Sequence, residues 1–215
     1  MPKNYKNKMS HSTAVRKLEA FIERVQYWNE NYSKYYRVVD VVLLGSLARN
    51  ETKVSDIDLC VKIERTMGFQ VNEHKSDYLV WRKDVLGYAA PDDYFKQVNM
   101  FETDVTRYLK ARDGRYDVLR WGELVGLSLT LDPIVTLVSE GALQYESIEV
   151  ALENASSISH DRAISIVEAG ALSRKEVYWD SYCNALSKFP PFVREAILKR
   201  DNCQSEYLSY IEDKK

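Results

Sequence analysis

Two spacings of apolar residues organise the first part of the chain. Val15, Leu18, Phe21, Ile22, Val25 and Trp28 recur at intervals of three and four, which lays one stripe along a helix. His11-Ser12-Thr13 stands where a cap for that helix is expected. Between Arg37 and Leu44 the chain is almost continuously apolar and stops at Gly45, the pattern of a buried strand ending in a tight turn. A polar link from Ser46 to Ser55 has room for a short helical turn. From Asp56 the pattern changes to strict alternation, with Asp56, Asp58, Cys60 and Lys62 on one face of a strand and Ile57, Leu59, Val61 and Ile63 on the other.

Farther along, the segment from Thr66 to Glu73 has no periodicity and reads as a loop. His74 to Tyr88 reads as a helix with Tyr78, Leu79, Trp81 and Val85 in its apolar set, and Pro91-Asp92-Asp93 as a turn. Tyr94 to Val105 is expected to be extended. Tyr116 to Leu127 reads as a helix, Leu129-Thr130-Leu131 as a short strand, and Ile134 to Glu140 as a further helix. The last third predicts helices over Glu146 to Ser156, His160 to Ser181, and Pro191 to Ile211, with Pro191 well suited to a first helical turn. Tyr32, Tyr35, Tyr36 and the group Tyr178, Trp179 and Tyr182 fit packing roles better than ligand contacts.

The chemistry concentrates between Gly45 and Leu59. Gly45 lets the backbone approach an anion closely, and Ser46 offers a hydroxyl and an N–H at the mouth of the turn. Asp56 and Asp58 point the same way from neighbouring positions. Two such carboxylates repel unless a cation lies beside them, and Mg²⁺, a hard ion with oxygen ligands that also takes substrate phosphates, suits the pair. A Gly-Ser turn next to an Asp-x-Asp strand is therefore a triphosphate site in outline. The alternative is a strand rim with solvated aspartates, which becomes the weaker reading once the two features stand together.

Gly45-Ser46, Arg49 and Ser55-Asp56-Ile57-Asp58-Leu59 together resemble the signature of the polymerase-beta-type nucleotidyltransferases. The resemblance is to the small prokaryotic branch that includes aminoglycoside and lincosamide nucleotidyltransferases and the minimal nucleotidyltransferases of toxin–antitoxin pairs. It spans about Val38 to Ile63. It implies an α+β fold, a small mixed sheet flanked by helices and followed by a C-terminal helical bundle, divided into a catalytic domain over 1–135 and a helical domain over 136–215. Gly45, Ser46, Arg49 and Ser55 would contact a nucleoside triphosphate, with ATP the expected donor. Asp56 and Asp58 would hold Mg²⁺, two ions in all. The family places a third carboxylate on a neighbouring strand, for which Asp104 is the first candidate and Glu102 the second; Asn99 in that position would leave the site without its base. The implied reaction moves a nucleoside monophosphate to an acceptor hydroxyl on a small, aminoglycoside-like molecule. The alternatives are an AMPylating antitoxin-type enzyme and a catalytically silent nucleotide-binding module.

Composition narrows the setting. The 215 residues are 45% hydrophobic, enough for a sizeable core. A net charge of −2 without clustering disfavours a nucleic-acid acceptor. Cys60, Cys183 and Cys203 have no metal-ligand spacing and are odd in number, which points to a reducing compartment. The polar, lysine-bearing start has no apolar leader core and no later run is long enough to span a membrane, so a cytoplasmic protein is expected.

Overall fold

In the computed structural model, which describes residues 8–66, 71–126, 133–156, 159, 165, 179–187 and 191–214, the chain wraps helices around a five-stranded mixed sheet. The elements in chain order are β1 (Met9–Ser10), α1 (His11–Asn31), β2 (Tyr36–Leu44), α2 (Gly45–Ala48), β3 (Lys53–Val54), β4 (Ile57–Arg65), α3 (Val71–Leu86), α4 (Tyr94–Lys110) and β5 (Tyr116–Arg120). A 3₁₀ turn follows (Trp121–Gly126), then β6 (Val135–Ser139), β7 (Ala142–Leu143), α5 (Ile148–Glu153), α6 (Trp179–Leu186), α7 (Pro191–Arg200) and α8 (Gln204–Asp213). The sheet order is β5-β4-β2-β6-β7. Only β4 and β5 run parallel; the other neighbours are antiparallel. This mixed α+β architecture is consistent with a nucleotidyltransferase fold.

Alternation along the strands sends their side chains into two separate cores. Val41 and Leu43 of β2 and Ile57, Leu59 and Val61 of β4 enter one core, together with Leu18, Phe21 and Val25 of α1, Phe101 and Val105 of α4, and Ala151 of α5. Val42, Leu44 and Cys60 enter the other, under Tyr182, Cys183 and Leu186 of α6, Ile197 of α7 and Tyr207 of α8. Each large apolar side chain so buried contributes about 1.5–3 kcal/mol. Asn29 ties α1 to β2: its side-chain amide donates to the Val38 carbonyl at 2.8 Å and its oxygen accepts from the Val38 N–H at 2.9 Å. Trp28 adds a ring N–H bond to the Tyr36 carbonyl at 2.9 Å. No helix among the described residues is long and apolar enough to cross a membrane.

Several local expectations are corrected. The cap of α1 is Ser10, whose hydroxyl accepts from Thr13 N–H at 3.2 Å. Tyr94 to Val105 is helical, because Met100, Phe101, Val105 and Leu109 reach the core at helical spacing and Asp93 caps the first turn through the Lys96 N–H. The 116–127 segment opens with a strand, since Tyr116 faces the first core and Leu119 the second while the backbone pairs with β4. Residues 135–139 form a strand because the free edge of β2 takes its hydrogen bonds from them. The Pro191–Ile211 helix divides at Asp201–Cys203, where Asn202 adopts a left-handed φ of 50°. The strand expected at 129–131 lies outside the described residues, as does the 160–178 helix apart from Ser165. The boundary expected after 135 falls at the first residue of β6, and the sheet continues through it to Leu143.

Candidate active site

Three strands converge at the site. β2 ends at Leu44, which stands opposite Asp58 of β4, and Asp58 in turn stands opposite Asp117 of β5 in the parallel register. Asp56 precedes β4 by one residue, so the two-residue period puts it on the same face as Asp58. The carboxylates of Asp56, Asp58 and Asp117 are half-buried and offer oxygen atoms all within 4.8 Å of one another. At an effective dielectric constant of about 20, two unit charges at that separation repel by roughly 3 kcal/mol.

The turn after β2 completes the arrangement. Gly45 has a φ of +72°, a left-handed conformation that glycine adopts without penalty. A Cβ at this position would lie 2.1 Å from Asp58 Oδ2, so the Asp58 carboxylate occupies the space that the missing side chain leaves. The backbone then tightens, with Arg49 N–H donating to the Gly45 carbonyl at 3.2 Å and Glu51 N–H to the Ser46 carbonyl at 3.1 Å. Ser46 Oγ is shielded from solvent and has no hydrogen-bond partner among the described residues. A buried hydroxyl left this way costs about 1–3 kcal/mol, which a ligand oxygen at the turn would recover.

Neighbouring groups hold the acids in place. Ser55 Oγ donates to Asp56 Oδ1 at 2.5 Å. Arg115, a residue the sequence reading missed, donates from Nη1 to the Ser55 carbonyl at 2.8 Å, and its own carbonyl accepts from Ile57 N–H at 2.8 Å. These bonds fix the start of β5 against the start of β4 and set which residue faces Asp58. Arg49 lies just beyond the turn, with its guanidinium bonded to Glu51 Oε1 at 3.0 Å from Nε and 2.8 Å from Nη2. On the same sheet face as the acids, Cys60 and Leu119 lead into the second core, where Trp179 and Tyr182 stack with ring centroids 5.4 Å apart.

The third carboxylate beside Asp56 and Asp58 is thus Asp117, and the expectation of Asp104 is corrected. Asp104 lies on α4, buried to 1% exposure, and is gripped by Arg82 through Nε to Oδ2 at 2.5 Å and Nη2 to Oδ1 at 3.0 Å. Tyr78 donates to Asp104 Oδ2 at 2.9 Å, and burial followed by the Asp104 charge pushes its phenol well above the ordinary range. This is an internal ion pair that latches α3 to α4. Glu102, on α4 as well, bonds Arg120 Nη1 at 3.2 Å. Asn99 is also on α4, so it does not stand in the place of the third acid. A signal for Asp117 was present: Tyr116-Asp117-Val118 sets one acid between two apolar residues, as Ile57-Asp58-Leu59 does.

An all-oxygen donor set at the start of two neighbouring strands fits a hard divalent cation, and the orphaned Ser46 hydroxyl fits an anionic oxygen beside it. No match was found among curated proteins, and none among solved structures. The segment from the second half of α1 into α4, residues 25–105, matches the sequence model of the nucleotidyltransferase domain. That match takes in Gly45, Ser46, Asp56 and Asp58 and supports nucleotidyl transfer as the general activity. Over residues 25–105, then, this chain is similar to the nucleotidyltransferase domain family.

Proposed function

We propose that the protein is a Mg²⁺-dependent nucleotidyltransferase that moves a nucleoside monophosphate, from ATP in the first instance, to a hydroxyl on a small acceptor molecule. The observation that carries the reading is the meeting of Asp56, Asp58 and Asp117 within 4.8 Å beside a glycine turn where an added Cβ would collide with the Asp58 carboxylate. Asp56 and Asp58 would hold the ions, with Asp117 as their third ligand. Bound Mg²⁺ supplies charge neutralisation around the phosphates and lowers the pKa of a coordinated oxygen.

The chain's own residues do the rest. Gly45 lets the phosphate chain approach the backbone, and Ser46 Oγ donates to one of its oxygens. Asp117 lies across from Asp58, in reach of an acceptor hydroxyl brought in line with the α-phosphorus, and takes its proton as the new P–O bond forms. Pyrophosphate leaves with the electron pair of the broken bond. Catalysis on this scheme is positioning and charge compensation, the terms that dominate phosphoryl-type transfer. A complete set of three carboxylates speaks against a silent binding module, which has no reason to keep mutually repelling acids.

The test is thermal melting of the full chain with Mg²⁺ and each of the four nucleoside triphosphates, together with the Asp56→Asn, Asp58→Asn double variant. At about a hundredfold excess over Kd the correct triphosphate should stabilise the protein by about 2.7 kcal/mol, or roughly 5–10 °C. That shift should require the metal and vanish in the double variant. If no triphosphate moves the transition in the presence of Mg²⁺, the reading is wrong.

A further inference from the structure

On the opposite side of β5 from the acids, α1 forms one wall of a second opening. Thr13, Arg16, Lys17, Ala20 and Arg24 line it on the helix, facing Ala111, Asp113 and Tyr116, and it encloses about 450 Å³. Arg16, Ala20 and Arg24 are successive turns of one stripe, and the small Ala20 leaves open floor between the two arginines.

The charges of this cleft are only partly matched. Lys17 Nζ is bonded to Asp113 Oδ2. Although burial raises the Asp113 carboxyl, Lys17 and the Arg115 N–H outweigh it and hold its pKa below the usual range. Arg24 donates from Nε to the Leu109 carbonyl at 2.7 Å, and its guanidinium carbon sits 5.2 Å from the Tyr116 ring centroid and 5.9 Å from that of Phe21. Those contacts fix the guanidinium, yet its Nη2 is shielded from solvent and has no hydrogen-bond partner among the described residues. Arg16 is exposed, with no carboxylate paired to it among the described residues. Two arginine charges, one on a preorganised and unsatisfied guanidinium, thus remain at an opening with a hydroxyl at Thr13. Guanidinium donors fit phosphate oxygens in shape and charge.

We propose that this cleft is a phosphoryl-binding site, distinct from the acid cluster, in which Arg24 and Arg16 hold a dianionic phosphate group and Lys17 joins them as Asp113 releases it. The two sites lie on opposite faces: Tyr116 packs into the first core beneath α1, while Asp117 faces the other way. The group can be free phosphate or one unit of a phosphate chain long enough to span both arginines.

Calorimetric titration of the full chain with inorganic phosphate, and separately with pyrophosphate, tests this in EDTA at ionic strength matched with chloride. Saturable one-to-one binding is expected. Arg16→Gln, an exposed change that leaves the core untouched, should weaken it about tenfold, the loss of one charge-assisted contact. Asp113→Asn keeps the acceptor for the Arg115 N–H but returns Lys17 to the cleft, so it should tighten binding several-fold, an outcome a merely structural ion pair would not give. The Asp56→Asn, Asp58→Asn variant should bind as wild type does, which separates this site from the catalytic reading. A preference for pyrophosphate assigns a phosphate chain, and equal affinities a single phosphate. Absence of saturable binding, indifference to both Arg16→Gln and Asp113→Asn, or loss of binding in the double acid variant would overturn the proposal.

Discussion

Replacing Gly45 by alanine isolates the geometric requirement of the site. The added Cβ would lie 2.1 Å from Asp58 Oδ2 and 3.0 Å from its Cγ. The carboxylate must therefore retreat by about 1 Å or turn to another rotamer, and a misplacement of that size in a catalytic constellation costs on the order of 100-fold in rate. The backbone term is separate: alanine at a φ of +72° costs about 1–2 kcal/mol of stability. Gly45→Ala should accordingly melt a few degrees lower, remain folded at 25 °C, and lose at least about 100-fold in kcat for nucleotide transfer. The assay is release of labelled pyrophosphate or incorporation of α-labelled nucleotide, with the melting curve and circular dichroism recorded on the same sample. A folded Gly45→Ala protein with wild-type turnover would refute the claim that Asp58 must occupy the space above this glycine.

Three further outcomes are expected. Asp117→Asn should lower kcat by about 100-fold or more, and should raise the melting temperature measured in EDTA, because one of three mutually repelling charges is gone; a lower melting temperature would refute the repulsive cluster. Asp104→Asn should instead cost about 3 kcal/mol in denaturant unfolding by leaving the Arg82 charge buried and uncompensated, so activity lost with stability intact would return Asp104 to a catalytic role. Burial holds the Cys60 thiol well above its ordinary value and pushes Cys183 up to about 11. Raised folded-state values mean that the stability from these neutral thiols is complete below about pH 8.5 and is lost as pH rises through the folded values. The urea midpoint should therefore fall between pH 9 and 11, less steeply in Cys183→Ala, while iodoacetamide at pH 8 should label the native thiols far more slowly than the unfolded ones.

The sequence by itself determined the parts of this protein that depend on neighbours along the chain. The stripe of α1, the apolar run of β2, the turn at Gly45 and the shared face of Asp56 and Asp58 all follow from helical or two-residue periodicity over short distances, and all stand in the structure. The spacing of Met100, Phe101, Val105 and Leu109 is helical as well, and the segment expected to be extended over 94–105 forms α4. Short apolar runs at 116–120 and 135–139 fit helix or strand equally well in isolation. They became strands because β4 and β2 each had an edge whose backbone groups needed partners.

Only the tertiary structure decided which carboxylate completes the cluster. Asp117 is far from Asp58 along the chain and reaches it through the parallel register of β4 and β5, which Arg115 and the Ile57 N–H lock in place. Asp104 is nearer in sequence but turns into the helical layer, where a buried carboxylate needs a counter-charge and finds Arg82. Periodicity says which face of its own element a residue occupies. Which elements lie side by side is settled by long-range burial and strand pairing, and that choice put an acid from the fifth strand beside two acids at the start of the fourth.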